Sequence, residues 1–349
     1  MFSICKKIFF KLKRNFFVLI FLYLCICLIL FSKYNIPAIK SGLNLWANSV
    51  IPSLFPFFIA TELLLNTNFI QLAESLFNKI MIKIFNVNGS GAFALIMGFL
   101  SGYPVGAKIA SDFRRDNICS KEECERLLSF TNNSGPLFIL GTIGTGMYKN
   151  SCIGYLLLIT HILSSLTVGY IFSFWKKNKA SNSTQKIYKT RIDNLTISNL
   201  GDILQKSITN SISTILLIGG FIVLFSSIIS ILNCSGIFSI CTKLLNPLFL
   251  KLNIPSNFIT GFLIGLLEIT NGINIIANIA YKKISTNIIL SSFLLGFGGF
   301  SIMLQVLSIT SKTDLSFMPY ILGKILHGLI ASLYTYLLIK FFPIFNFNL

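Results

Sequence analysis

The residues best placed to do chemistry in this chain are polar groups stranded inside apolar runs. Ser101, Gly102, Tyr103 and Pro104 interrupt one run, and Asn132, Asn133, Ser134, Gly135 and Pro136 interrupt another. Further on, Glu268, Thr270 and Asn271 break a third, and Gly296 to Ser301, with Gln305 just beyond, break a fourth. A soluble protein would use such stretches as turns. This chain of 349 residues is 54% hydrophobic and only 11% charged, where soluble domains carry about 25% charged residues. Here the interruptions read as broken membrane helices, and broken membrane helices line sites.

The chemistry they suggest is the holding of a small anion. A helix opening at Pro104 or Pro136 aims free N–H groups and the positive end of its dipole at the break. Such an opening holds a carboxylate without burying a full counter-charge. Ser101, Gly102, Tyr103 and Pro104 are therefore expected to line one wall of a pocket, and Asn132, Asn133, Ser134 and Gly135 another. Tyr103 offers a ring for stacking. Lys108, one turn past Pro104, either approaches the solute or snorkels to the interface. Glu268 is an acid within an apolar span and so a functional candidate. It serves proton coupling or gating, or else makes a structural hydrogen bond or an ion pair with Lys108. Thr270, Asn271, Ser301 and Gln305 complete the expected site. The alternative for the Gly-Pro breaks is tight helix packing with no ligand. Glu62 reads as an interfacial residue near a helix end.

Other classes of function find little support. No Ser/His/Asp set, HExxH helix or phosphate-binding loop occurs, so no enzyme is expected. Eight cysteines are scattered without a CxxC pair, and the two histidines, His161 and His327, lie in apolar context. No metal site, cofactor or disulfide framework is expected from them. The net charge of +18 comes from 29 Lys+Arg against 11 Asp+Glu. These cations cluster in short segments between apolar runs, which is the positive-inside bias of a membrane protein rather than a nucleic-acid surface. The expected partners are the lipid bilayer, a small anionic solute and a coupling proton or ion. The sequence leaves the oligomeric state open.

The elements that must position these residues follow from the apolar runs. Residues 1–38 hold a basic cytoplasmic segment and a first, uncleaved helix over Phe16–Phe31. Residues 39–175 form a first unit. It begins with a kinked helix to Asn66 containing Pro52 and Pro56, then an amphipathic helix over Phe69–Phe85. The first broken segment follows, from Gly91. Ser120 and Glu123 form a capping box, opening a helix with a Glu122–Arg126 pair and a solvated charged face. An apolar helix after Pro136, with Gly141, Gly144 and Gly146 spaced for close packing, and a span over Cys152–Trp175 end the unit. Residues 176–199 are a basic cytoplasmic linker, so an even number of crossings should precede it. Residues 200–349 form a second unit, with spans over Ile208–Leu232 and Tyr320–Phe342 around an amphipathic Ile237–Leu252 and the two later broken segments. The fold class expected is all-α: a polytopic integral membrane protein of two related halves, with broken or re-entrant helices and amphipathic interfacial ones.

The relation between the halves rests on order and spacing. GFLSGYPVGA at 98–107 lies on GLLEITNGIN at 265–274, and NSGPLFIL at 133–140 on FGGFSIML at 297–304. Duplicated halves with breaks in matching positions are the signature of a secondary transporter whose site lies where the breaks meet.

FLSGYPVGAK at 99–108, ERLLSFTNNSGPLFILG at 125–141, GLLEITNG at 265–272 and GFGGFS at 296–301 resemble the family of the sporulation integral membrane protein YlbJ. That family sits within the wider group carrying the nucleoside-recognition Gate domain. The likeness covers roughly residues 39–340. It implies a membrane protein of endospore formers, needed late in sporulation and linked to moving dipicolinic acid from the mother cell across the outer forespore membrane. A carrier of another solute, such as a nucleoside, and a non-transporting scaffold of the spore envelope are the alternatives.

Overall fold

The computed structural model describes residues 15–176, 199–281, 283–342 and 345. The basic segment 1–14 and nearly all of the linker expected over 176–199 lie outside the described residues. Every regular element among the described residues is helical. Helices α1 (Phe16–Leu30), α2 (Ser32–Leu45) and α3 (Ile51–Leu65) lead into α4 (Phe69–Ile80). Next come α5 (Gly91–Ser101), α6 (Val105–Arg115), α7 (Lys121–Phe130), α8 (Phe138–Met147, wound as a π-helix) and α9 (Ser151–Phe172). The second half holds α10 (Leu200–Cys234), α11 (Ile237–Lys251), α12 (Asn257–Leu267), α13 (Ile269–Ala277), α14 (Ile284–Phe297), α15 (Gly299–Thr310) and α16 (Met318–Phe341).

Among the described residues four helical stretches are long and apolar enough to cross a bilayer, α9, α10, the pair α14–α15 and α16, and the bent pair α1–α2 makes a fifth if counted as one span. The apolar surface points outward, as it must when lipid is the solvent. In α11, Ile240, Leu244 and Leu248 form an exposed stripe at helical spacing. In α4 the polar face is the inner one. Glu74 accepts a hydrogen bond from the Ser90 hydroxyl at 3.0 Å, while Leu72, Leu76 and Ile80 are exposed. The expected amphipathic helices are thus present, and α4 packs its polar side along the bundle.

The first helix forms as expected over Phe16–Leu30, and α1 then turns by 99° into α2. The buried Asn35 pins the corner by donating to the Cys27 carbonyl at 3.2 Å. Two expectations need correction. First, α7 is not solvated. Its capping box forms as expected, but Cys124 to Phe130 are all buried. Arg126 donates to the Trp175 carbonyl at 2.8 Å instead of pairing with Glu122. Glu125 collects the Lys176 ammonium at 2.8 Å, the Trp175 indole N–H at 2.9 Å and the Ser316 N–H at 3.1 Å. Sequence spacing placed these charges outside because it could not see the chain folding over them. Second, Pro104 is the residue before α6, not its first helical residue.

Glycines let short helices pack closely on both sides of the linker, in different ways. The α5–α6 pair clasps the end of α7 so closely that a Cβ on Gly98 or Gly106 would lie 1.9 or 2.2 Å from the Thr131 carbonyl oxygen. The α12–α13 pair meets through Gly265 and Gly272, where a Cβ on Gly272 would lie 2.0 Å from the Gly265 Cα. At the centre α9 and α16 bring His161 and His327 together, ring centroids 4.4 Å apart.

Candidate functional site

The breaks exist because each places a residue that cannot continue the helix. Gly102 ends α5 with φ +80°, a conformation that suits glycine, and Pro104 follows. Glu268 ends α12 in extended backbone, φ −141° and ψ 115°, and its side chain restarts the helix. One carboxylate oxygen accepts from the Thr270 N–H at 3.0 Å and the other from the Asn271 N–H at 2.8 Å. Gly298, at φ +83°, separates α14 from α15. Between α7 and α8 the chain is simply unwound from Thr131 to Gly135.

All four breaks meet at one cavity. Its wall takes Gly102 and Tyr103 from the first, Gly135 and Phe138 from the second, Glu268, Ile269 and Thr270 from the third, and Ser301, Ile302 and Gln305 from the fourth. Val50, Leu54, Ile218 and Ile222 close it with apolar surface. Of the residues singled out in the sequence, Gly102, Tyr103, Gly135, Glu268, Thr270, Ser301 and Gln305 are brought together here. The openings of α6, α8 and α15 have no side-chain cap, whereas that of α13 is filled by Glu268. No lysine or arginine lines the cavity.

The cavity is narrow, about 50 Å³, which is room for a few waters. Two larger spaces, or vestibules, lie near it. One, of about 400 Å³, is lined by Pro104, Lys108, Glu62, Asp112, Arg115 and Lys312 among others, and begins at the residue after Tyr103. The other, of about 560 Å³, is lined by Asn48, Thr142, Asn271 and Asn274 and shares Thr270 with the cavity.

The remaining expected residues lie around it. Ser101 is hydrogen-bonded to Thr61. Ser134 supports the wall from behind, its hydroxyl donating to the Tyr103 oxygen at 2.8 Å and its N–H to His161 Nε2 at 3.1 Å. Pro104 and Lys108 face the first vestibule, where Lys108 pairs with Glu62 and not with Glu268. Asn271 faces the second. Asn132 and Asn133 turn into the packing. Asn132 donates to the Tyr320 hydroxyl at 3.1 Å, and Asn133 to the Phe130 carbonyl at 2.8 Å and to Ser165 at 3.1 Å.

Sequence reading missed one cluster. Lys324, His327 and Tyr320 of α16 and His161 of α9 are all buried directly behind the breaks. The signal was available, because Lys324 is an ionisable residue within an apolar span, the same property that drew attention to Glu268.

Comparison with known proteins places this arrangement. Residues 47–174 and 215–323 match the Gate family, described as nucleoside recognition. The sporulation integral membrane protein YlbJ of Bacillus subtilis (strain 168) is 36% identical over 335 residues, covering 92% of this chain and 81% of the relative. Among solved structures, CNTnw in an inward-facing substrate-bound state superposes with a TM-score of 0.51 at 13% identity, over 90% of this chain and 86% of that one. The last likeness is one of fold.

Proposed function

The chain belongs to the Gate family as a relative of the sporulation integral membrane protein YlbJ, and from that premise we propose that it is a carrier for a small planar anion, with dipicolinic acid as the solute and the outer forespore membrane as its location. The observation that carries this reading is the pair of helix openings without a side-chain cap, α8 and α15, in the wall of one cavity that no side-chain cation lines. Each opening offers N–H groups and a positive dipole end, worth about 0.3–1 kcal/mol to an anion and more when water is excluded. Tyr103 and the apolar wall suit a flat ring. The two carboxylates would sit on the open ends, away from Glu268. A narrow cavity with larger spaces near it supports transport, since a solute would pass only if the broken helices part, opening one side at a time. The vestibule of Lys108, Arg115 and Lys312 is assigned to the cytoplasm by the positive-inside rule, and the N-terminus with it.

A second reading, a neutral nucleoside, is favoured by a specific feature. Gln305 Oε1 is a buried acceptor without a partner, and it stands in the same wall as the Glu268 carboxylate. Hydroxyl and N–H donors of a nucleoside would satisfy both. Purified protein in vesicles decides between them. Saturable uptake of labelled dipicolinate, uncompeted by nucleosides, is the expected result. Nucleoside uptake indifferent to dipicolinate assigns the second reading, and no flux of either refutes both. In sporulating cells, loss of the gene should leave dipicolinate in the mother cell and spores poor in it.

A further inference from the structure

A broken helix has two ends at its break, and they differ in sign. The opening ends of α8 and α15 face the cavity, and that of α6 faces the space lined by Lys108. The closing ends of α7 and α14, which carry the negative end of each dipole, lie on the far side, where the Phe130 carbonyl accepts from Asn133 and Ser165 and the Leu294 carbonyl from the Gly298 N–H. Lys324 stands at that place. Its ammonium donates to the Asn132 carbonyl at 3.1 Å, in the unwound stretch after α7. Its Cε lies 3.4 Å from where a Cβ on Gly298, the residue closing α14, would be. Lys324 is 1% exposed, and among the described residues no carboxylate forms an ion pair with it.

The neighbouring rings are set up as acceptors. His161 Nε2 receives the Ser134 N–H at 3.1 Å. His327 Nε2 lies 3.0 Å from the His161 carbonyl, so it carries the proton, which leaves Nδ1 to accept from Lys324 at 3.5 Å. A buried ammonium held only by a carbonyl and a neutral ring is expensive, and the converging helix C-termini are what offset the cost. In carriers built on broken helices, unwound carbonyls and half-helix C-termini are where a coupling cation binds. We infer that Lys324 is a tethered cation occupying this position, so that the protein works without a bound alkali ion at the junction of its broken helices.

The inference rests on the carrier reading for its role, but its first test needs no solute. Thermal unfolding of the full purified chain should give the same Tm in sodium, potassium and choline chloride at equal ionic strength. Lys324→Ala should lower the Tm, and ethylammonium, which fits the space left by the side chain, should recover part of the loss. In vesicles, flux of whichever solute the wild type moves should fall by about tenfold or more in Lys324→Ala, as expected for losing a charge-assisted bond at a moving junction, and ethylammonium should restore part of it. Stabilisation of the wild type by sodium over choline overturns the inference, and so does Lys324→Met with wild-type Tm and flux. Should Lys324→Ala fail to fold, the wild-type salt comparison and Lys324→Arg, expected to keep a salt-indifferent Tm, still decide. Absence of any solute flux in the wild type refutes the carrier reading while the Tm series judges Lys324 separately.

Discussion

The break between α5 and α6 and the break between α12 and α13 stand in the wall of one cavity and differ in backbone and in charge. At the first, neutral groups hold the chain. Ser101 bonds Thr61, Tyr103 bonds Ser134, and Gly102 lies so close to Gly135 that a Cβ on it would be 2.7 Å from the Gly135 nitrogen. The opening of α6 has no side-chain cap, its Val105 N–H bonding the Gly102 carbonyl at 3.1 Å. At the second, the break brings its own anion, and Glu268 satisfies the N–H groups of Thr270 and Asn271 before any solute arrives. The cavity wall thereby holds neutral groups at one break and a carboxylate at the other. On the carrier reading that asymmetry would orient the solute, and it can be attacked from either side.

The largest effect should come from the acidic break. Glu268→Ala leaves two buried N–H groups unsatisfied, at about 1–3 kcal/mol each, and should lower the Tm more than any other single change at the breaks. Glu268→Gln, which keeps one accepting oxygen, should lose about half as much. An unchanged Tm in Glu268→Ala would mean that α13 starts without its cap and that the two breaks are electrostatically alike. Flux separates the substrate readings in the same variants. A nucleoside carrier should lose uptake in Glu268→Gln, whereas uptake of a dicarboxylate held on the open helix ends should persist.

A smaller loss is expected at the neutral break. Gly102→Ala puts a side chain at φ +80°, costing about 1–2 kcal/mol in backbone strain, and forces Gly135 away. The acidic break has no such requirement, since Glu268 is in extended backbone. Tyr103→Phe should cost less again, about 1 kcal/mol for the bond with Ser134, and should leave the apparent affinity for an aromatic solute nearly intact because the ring remains. If Tyr103→Phe abolishes uptake while Tm hardly moves, the hydroxyl and not the ring meets the solute.

Much of this was legible because breakers and polar residues are rare in an apolar chain. Gly102, Gly135, Glu268 and Ser301 are such interruptions, and they converge on one cavity. The apolar part of the wall, Val50, Leu54, Ile218 and Ile222, was not legible, since an aliphatic residue facing a cavity has the same local pattern as one facing lipid. Asn132 and Asn133 show the opposite failure. Sequence placed them at a break, but the turn direction that sends Asn132 to Tyr320 depends on a helix 188 residues away. The burial of Glu125 was hidden for a related reason, as two of its partners, Trp175 and Ser316, lie 50 and 191 residues distant. Lys324 was legible and was passed over, because the last span looked uninterrupted.

The smallest effect should lie outside the breaks, where the halves touch at the vestibule rim. Arg114, in the last turn of α6, grips Asp314 between α15 and α16 with two bonds, Nε to Oδ1 at 2.7 Å and Nη2 to Oδ2 at 2.9 Å. The hydrogen bonds from Arg114 hold the Asp314 carboxyl below its ordinary range. Folded protein therefore binds this proton more weakly than unfolded protein does. The contribution of the pair is complete above the ordinary carboxylate pKa of about 4 and is lost as pH falls through the lower folded value. Both side chains are solvated, so the pair is worth at most about 1 kcal/mol. Asp314→Asn should lower the Tm slightly near neutral pH and not at all at the acid end, where the wild type has already lost the interaction. High salt should shrink the difference further. A loss in Asp314→Asn as large as that in Glu268→Ala would place the stability of the assembly at the contact between halves, and the contrast between the two breaks would then say little about what holds the site open.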